Sequence, residues 1–209
     1  MKTLLSTLLL ICAMASSVAN ANLVSNGSFE NNNVNAGTWS WFSSSSVDGW
    51  SGSNIELWND FGGMIAQDGT KLAELNAHGG SGGGAFSIFQ EITTTAGELY
   101  DFSFYYAARQ NTNESFLVEV FSSSGSLISQ LVDDHIVKQW SSFTSSFVAA
   151  DSATTVRFTT VTPLSGTLGN FIDNVIVTES TTSVVQASAP SAALLTLFGL
   201  AMLLVRRSK

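Results

Sequence analysis

The chain has 209 residues, 44% of them hydrophobic, with 16 acidic against 8 basic side chains and a formal charge of −8. All 16 acids but only four bases (Lys71, Arg109, Lys138 and Arg157) lie between Asn22 and Glu179, which gives that stretch a formal charge of −12 and sets aside nucleic acid as a partner. The single cysteine, Cys12, sits near the start, so the rest of the chain has no disulfide, thiol nucleophile or cysteine metal site.

In chain order, Met1 and Lys2 precede an apolar run from Leu4 to Val18 that ends in Ala19-Asn20-Ala21. A basic start, a short apolar stretch and an A-x-A site are the parts of a secretory signal peptide, residues 1–21, which signal peptidase would remove to leave Asn22 first. The 158 residues from Asn22 to Glu179 suit one globular domain with its own core.

Within that domain, Trp39, Trp41, Phe42, Trp50 and Trp58 come first, in Ser/Gly/Asn-rich sequence that reads as loop. Strand patterns follow at Leu72 to Leu75 and Ala85 to Ile92. Tyr100, Phe102, Phe104 and Tyr106 then alternate with Asp101, Ser103 and Tyr105, the period of a strand with an aromatic inner face. Phe116, Val118 and Val120 repeat the pattern, and so do Trp140 to Val148, Thr154 to Val161 and Phe171 to Thr178. Gly62-Gly63, Asp68-Gly69, Ala96-Gly97, Ser124-Gly125 and Ser165-Gly166 supply turns between them. Many short strands without helical crossovers predict an all-β, two-sheet sandwich.

Two local patterns suggest chemistry. Gly79 to Gly84 contains G-x-S-x-G, the nucleophile elbow of hydrolases, but an elbow needs a following helix and Ala85 to Ile92 reads as a strand, so a hairpin tip is expected. His78 beside it is expected to make a local hydrogen bond, with ligand contact as the alternative. Asp133-Asp134-His135 is the most enzyme-like cluster; adjacent strand residues point to opposite faces, so a solvated loop is the ordinary reading.

An ordered set of motifs resembles the jelly-roll carbohydrate-binding modules of the galactose-binding-like superfamily. It begins with Asn22-Leu23-Val24-Ser25-Asn26-Gly27-Ser28-Phe29-Glu30 and continues with Asp68-Gly69, Leu72-Ala73-Glu74-Leu75 and Ile88-Phe89-Gln90. Phe104-Tyr105-Tyr106-Ala107-Ala108-Arg109, Trp140 and Gly169-Asn170-Phe171-Ile172-Asp173-Asn174-Val175 complete it. The resemblance implies a jelly-roll sandwich over residues 22–179 and a structural calcium ion held by Glu30 and Asp173. Strand parity groups Asp173 with Phe171, Val175 and Val177, and a carboxylate among apolar groups needs a partner or an ion. In the other phase Ile172 and Ile176 face the core and Asp173 is exposed.

For a sugar ligand, indoles offer flat apolar faces to C–H groups while amides, carboxylates and Arg meet hydroxyls. Trp39, Trp41 and Trp58 are the candidate platforms, with Glu56, Asn59 and Arg109, and also Asn54 and Asp60, as polar partners. Core packing is the alternative for each aromatic. Trp50, after Asp48-Gly49, stands where members of the superfamily bury a tryptophan.

Beyond the domain come a Ser/Thr-rich linker and sorting motif at 180–191, an apolar run at 192–205, and the basic end Arg206-Arg207-Ser208-Lys209. The 14-residue run would reach about 21 Å as a helix, short of the roughly 30 Å bilayer core. This tail is similar to the PEP-CTERM sorting signals that exosortases process in Gram-negative bacteria, although Ser188-Ala189-Pro190 replaces Pro-Glu-Pro. The resemblance implies an exported protein, tethered to the inner membrane before processing and then at the cell surface or outside. The leading expectation is a non-catalytic protein that binds polysaccharide. A structural or adhesive matrix protein and a glycan-active hydrolase or lyase are the alternatives.

Overall fold

The structure is a computed structural model and describes residues 21–81 and 84–181; the signal-peptide reading at residues 1–20 and the tail from residue 182 onward lie outside them. Among the described residues the regular elements are β1 (Thr38–Phe42), β2 (Ser51–Gly52), β3 (Ile55–Asn59), β4 (Lys71–Glu74), β5 (Ser87–Thr93) and β6 (Leu99–Ala107). They continue with β7 (Ser115–Ser122), β8 (Gly125–Val132), β9 (Ser141–Val148), β10 (Ala153–Thr162) and β11 (Phe171–Glu179). The only helical element among them is one 3₁₀ turn, Ser44–Ser46. The strands form two antiparallel sheets, one in the order β1-β3-β4-β11-β6-β9 and the other β2-β5-β10-β7-β8. The all-β sandwich expected from the sequence is the observed architecture.

The core lies between the sheets. Alternation along β6 sends Tyr100, Phe102, Phe104 and Tyr106 inward, as expected, to meet Phe116, Val118 and Val120 of β7 and Val156 and Phe158 of β10. Phe104 ties the layers together, stacking on Phe143 of its own sheet at 4.7 Å and meeting Phe158 of the other edge-on at 5.0 Å. The residues before β1 close a gap in the first sheet. β4 pairs with β11 only at Phe171 and Ile172, and beyond that point Leu23 donates to the Val177 carbonyl while Val175 donates to that of Gly27. Gly27 is required there, because a Cβ would stand 2.1 Å from the Val175 oxygen.

Three expectations are corrected. Trp39, Trp41, Phe42 and Trp58 lie on β1 and β3, not in loops. β8 has no counterpart among the expected strands: it is an edge strand with only Val132 buried, so its sequence carries little alternation. In β11 the register against β6 shifts between Asp173 and Ile176, with Asn174 in the left-handed region at φ 50°. That bulge breaks the assumed parity: Ile172, Val175 and Val177 enter the main core, while Phe171 joins a second cluster with Trp58, Met64, Leu72 and Ala107.

Candidate ligand-binding face

The second cluster covers the outer face of the first sheet. In β3, Ile55 and Leu57 point into the sandwich, so Glu56 and Trp58 point outward; yet all five residues of the strand are buried, because loops roof this side. Trp58 meets Phe61 and Phe171 edge-on, each at 4.9 Å, and the Arg109 guanidinium carbon sits 4.7 Å from its ring centroid.

Two fully buried carboxylates anchor the face. Glu56 accepts the Trp58 indole N–H at 2.8 Å through Oε1, and Oε2 meets the His78 backbone N–H at 3.2 Å and its Nδ1 at 2.5 Å. Glu74, its cross-strand partner on β4, accepts Arg109 Nη1 at both oxygens, 2.7 and 2.8 Å, and the Gly169 N–H at 2.8 Å. Burial pushes the Glu74 carboxyl up, against the downward pull of Arg109, and the neighbouring Glu56 adds to the rise. Its partners are all N–H donors, so the carboxylate is the form that the hydrogen bonds fit.

The rim is open. Trp39 faces the same way as Trp58, its register partner, and stacks on the His78 imidazole at 4.5 Å and 25°. Trp41, two residues on and about 6.6 Å along the strand, is 47% exposed. Gly79 lets it lie close: a Cβ there, at φ +83°, would meet ring atoms of Trp41 at 3.1 Å and the Asn54 amide at 2.8 Å. The Glu56 carboxylate accepts from His78 Nδ1–H, which leaves Nε2 as the ring's other polar atom. The arrangement offers a flat apolar surface beside a polar imidazole edge.

The sequence-selected residues therefore divide. Trp39 and Trp41 share the open rim, whereas Glu56 and Trp58 lie beneath it and shape it from inside. Arg109 is engaged by Glu74 and by the Thr167 carbonyl at 2.9 Å, and only a small part of it reaches solvent. Asn59 points elsewhere: its amide donates to the Val34 carbonyl at 2.8 Å and is buried. His78 makes the local hydrogen bond expected of it, to Glu56, and also lies on the face, while Glu74, which organises the face from beneath, was not selected for it. Glu74 had a signal, a lone carboxylate inside the apolar run Leu72-Ala73-Glu74-Leu75. Trp50 is buried, as its position suggested, stacking on Phe29 at 5.2 Å.

Glu30 and Asp173 do approach the same turn, residues 67–71. Asp173 is buried and accepts the N–H groups of Gln67 and Asp68 at 2.7 and 3.0 Å and that of Asn174 at 2.7 Å. Burial, with Asp68 adding, pushes its carboxyl up to about 7. Glu30 accepts the N–H groups of Thr70 and Lys71 at 2.8 and 2.6 Å, the Thr70 hydroxyl at 3.0 Å and the Lys71 ammonium at 3.1 Å. Donors thus meet both oxygens of each carboxylate, and among the described residues no three His, Cys, Asp or Glu side chains are grouped to hold an ion. In this arrangement the two residues do not fit calcium, which repels N–H groups and needs about six to eight oxygens.

The other patterns are structural. β5 and no helix follows the Gly-rich segment, so it is no nucleophile elbow. Asp133 and Asp134 are exposed, and Asp134 accepts the Tyr106 hydroxyl at 2.6 Å. His135 turns inward between Tyr106 and Phe116, with no hydrogen bond to either ring nitrogen, and burial pulls it down to about 4.

Comparison with solved structures places this architecture among known sandwiches. The carbohydrate-binding module TmCBM61, solved with β-1,4-galactotriose, superposes with a TM-score of 0.50 at 15% identity, covering 77% of this chain and 99% of that one. The arabinose-bound α-L-arabinofuranosidase MgGH51 gives 0.52 at 12% identity over 76% of this chain and 26% of that one. These likenesses concern the fold. In sequence, the chain is 29% identical over 182 residues to Halomucin of Haloquadratum walsbyi, covering 81% of this chain but spanning only 2% of that protein's length. Residues 22–178 match the family described as protein of unknown function, DUF642, and the chain belongs to that family.

Proposed function

We propose that this protein binds carbohydrate through the face carrying Trp39, Trp41 and His78, without catalysing a reaction on it. The observation that carries the reading is Trp41, 47% exposed on a regular strand beside the stacked Trp39–His78 pair. A large exposed indole costs free energy unless a ligand covers it, and its neighbours add a second aromatic plane and a hydrogen-bonding edge. That TmCBM61, of like fold, holds β-1,4-galactotriose supports a saccharide over other ligands with flat apolar faces.

The chemistry of the face supports binding over turnover. A glycosidase needs two carboxyl groups flanking the scissile bond, within reach of substrate. Glu56 and Glu74 are adjacent but wholly buried and saturated by internal donors. We further propose, from the two ends of the sequence, that the protein is exported and held by its tail before it reaches the cell surface.

Affinity electrophoresis of the full chain in non-ionic detergent, through gels containing a panel of polysaccharides, tests the reading. Retardation by one or more supports it. Free migration of folded protein through all of them rejects it in favour of a structural or adhesive role.

A further inference from the structure

The charges around this face restrict its ligand. A binding site for uronate, sulfate or phosphate groups normally presents Arg or Lys side chains to them. The described part of the chain contains four such residues, and three are held by carboxylates: Lys71 by Glu30 at 3.1 Å, Arg109 by Glu74 at 2.7 Å and Arg157 by Glu119 at 2.8 Å. Lys138 has its ammonium on the Gly62 carbonyl at 2.5 Å. The rim itself is built of Trp39, Trp41, His78 and Asn54, with no Arg or Lys among them.

What lies beneath the rim is negative. Glu56 and Glu74 contribute two buried carboxyl groups, met by a single Arg or Lys, Arg109, and on Glu56 by His78 Nδ1–H, in a setting where charges are weakly screened. The surrounding domain carries 16 acids against four bases. A polyanion approaching this face meets repulsion at long range and finds no Arg or Lys on the Trp39–Trp41–His78 rim.

We infer that the ligand of this face is a neutral polysaccharide, and that its carboxylated or sulfated counterparts are excluded. The inference rests on the carbohydrate-binding reading above and adds the chemical class. It follows from charge placement: indole stacking and the His78 edge serve C–H faces and hydroxyls, and neither needs a charge on the ligand. Releasing Arg109 for an acidic sugar would leave Glu74 buried and unpaired, a cost the ligand would have to offset.

Polymers that share a backbone and differ in charge test this. The full chain is run at low salt, with a chelator present to prevent bridging by divalent ions. The gels contain hydroxyethylcellulose or carboxymethylcellulose, and dextran or dextran sulfate. The expected result is retardation by at least one neutral polymer, with at least tenfold weaker retardation by its acidic counterpart. Equal or stronger retardation by an acidic polymer would overturn the neutral-ligand assignment and leave carbohydrate binding standing. Retardation by none would remove the carbohydrate-binding reading, and the assignment with it.

Discussion

Glu56 of β3 and Glu74 of β4 stand opposite each other in register, and neither reaches solvent. Two carboxylates so placed persist only because each has its own set of donors: the Trp58 indole and His78 for one, Arg109 and the Gly169 N–H for the other. The pair connects the buried layer to the rim. Glu56 sets the imidazole that stacks on Trp39, and Glu74 holds the guanidinium that lies over Trp58.

Replacing Arg109 with Met is therefore expected to destabilise the fold by about 3–5 kcal/mol at neutral pH, because it strands the Glu74 charge. Without its cation, the Glu74 carboxyl rises further above its ordinary value. A raised carboxyl favours the fold below the unfolded value, near 4.5, and that contribution is lost as pH climbs. The deficit in urea midpoint should accordingly shrink between pH 8 and pH 5. A deficit that does not change with pH would point to lost packing alone.

His135 makes the opposite pH signature. Burial lowers it from 6.5 to about 4, so the unfolded chain takes a proton that the folded chain refuses, and stability is lost as pH falls through that window. His135→Phe keeps the ring between Tyr106 and Phe116 and removes two buried nitrogens without partners. It should raise stability by about 1–3 kcal/mol and abolish that part of the acid sensitivity. Loss of stability on this change would mean that the nitrogens bond to something, such as buried water.

The turn at 67–71 gives a third test. With its N–H groups held by Glu30 and Asp173, Tm should be unchanged on dialysis against a chelator. A fall of several degrees, restored by calcium, would show that the turn rearranges around an ion. Asp173→Ala should lower stability whichever result holds, since it takes the acceptor from three part-buried N–H groups.

Much of the sandwich was legible because β6, β7 and β10 each bury one face, so their residues alternate. β3 was not, for the reverse reason. Both its faces are covered, and Glu56 inside Ile55-Glu56-Leu57-Trp58 looks like loop sequence until its hydrogen bonds are known. The aromatics of the site could be named from sequence, but their division could not. Which of Trp39, Trp41 and Trp58 stays open depends on the β1–β3 register and on the loops roofing β3. Asp173 is buried, as one of the two phases implied, but it parts company with Val175 and Val177 because a bulge at Asn174 leaves no mark in a simple alternation.

The most direct test of the account compares Trp41→Ala and Trp58→Ala with the unaltered chain on a polysaccharide that retards it. Trp41→Ala should leave Tm within a few degrees and weaken binding at least tenfold, because the ring is half in solvent and lies where the ligand stacks. Trp58→Ala should instead cost about 3–5 kcal/mol of stability, as a buried core indole does. Unchanged retardation of folded Trp41→Ala protein would contradict the claim that this face binds the sugar.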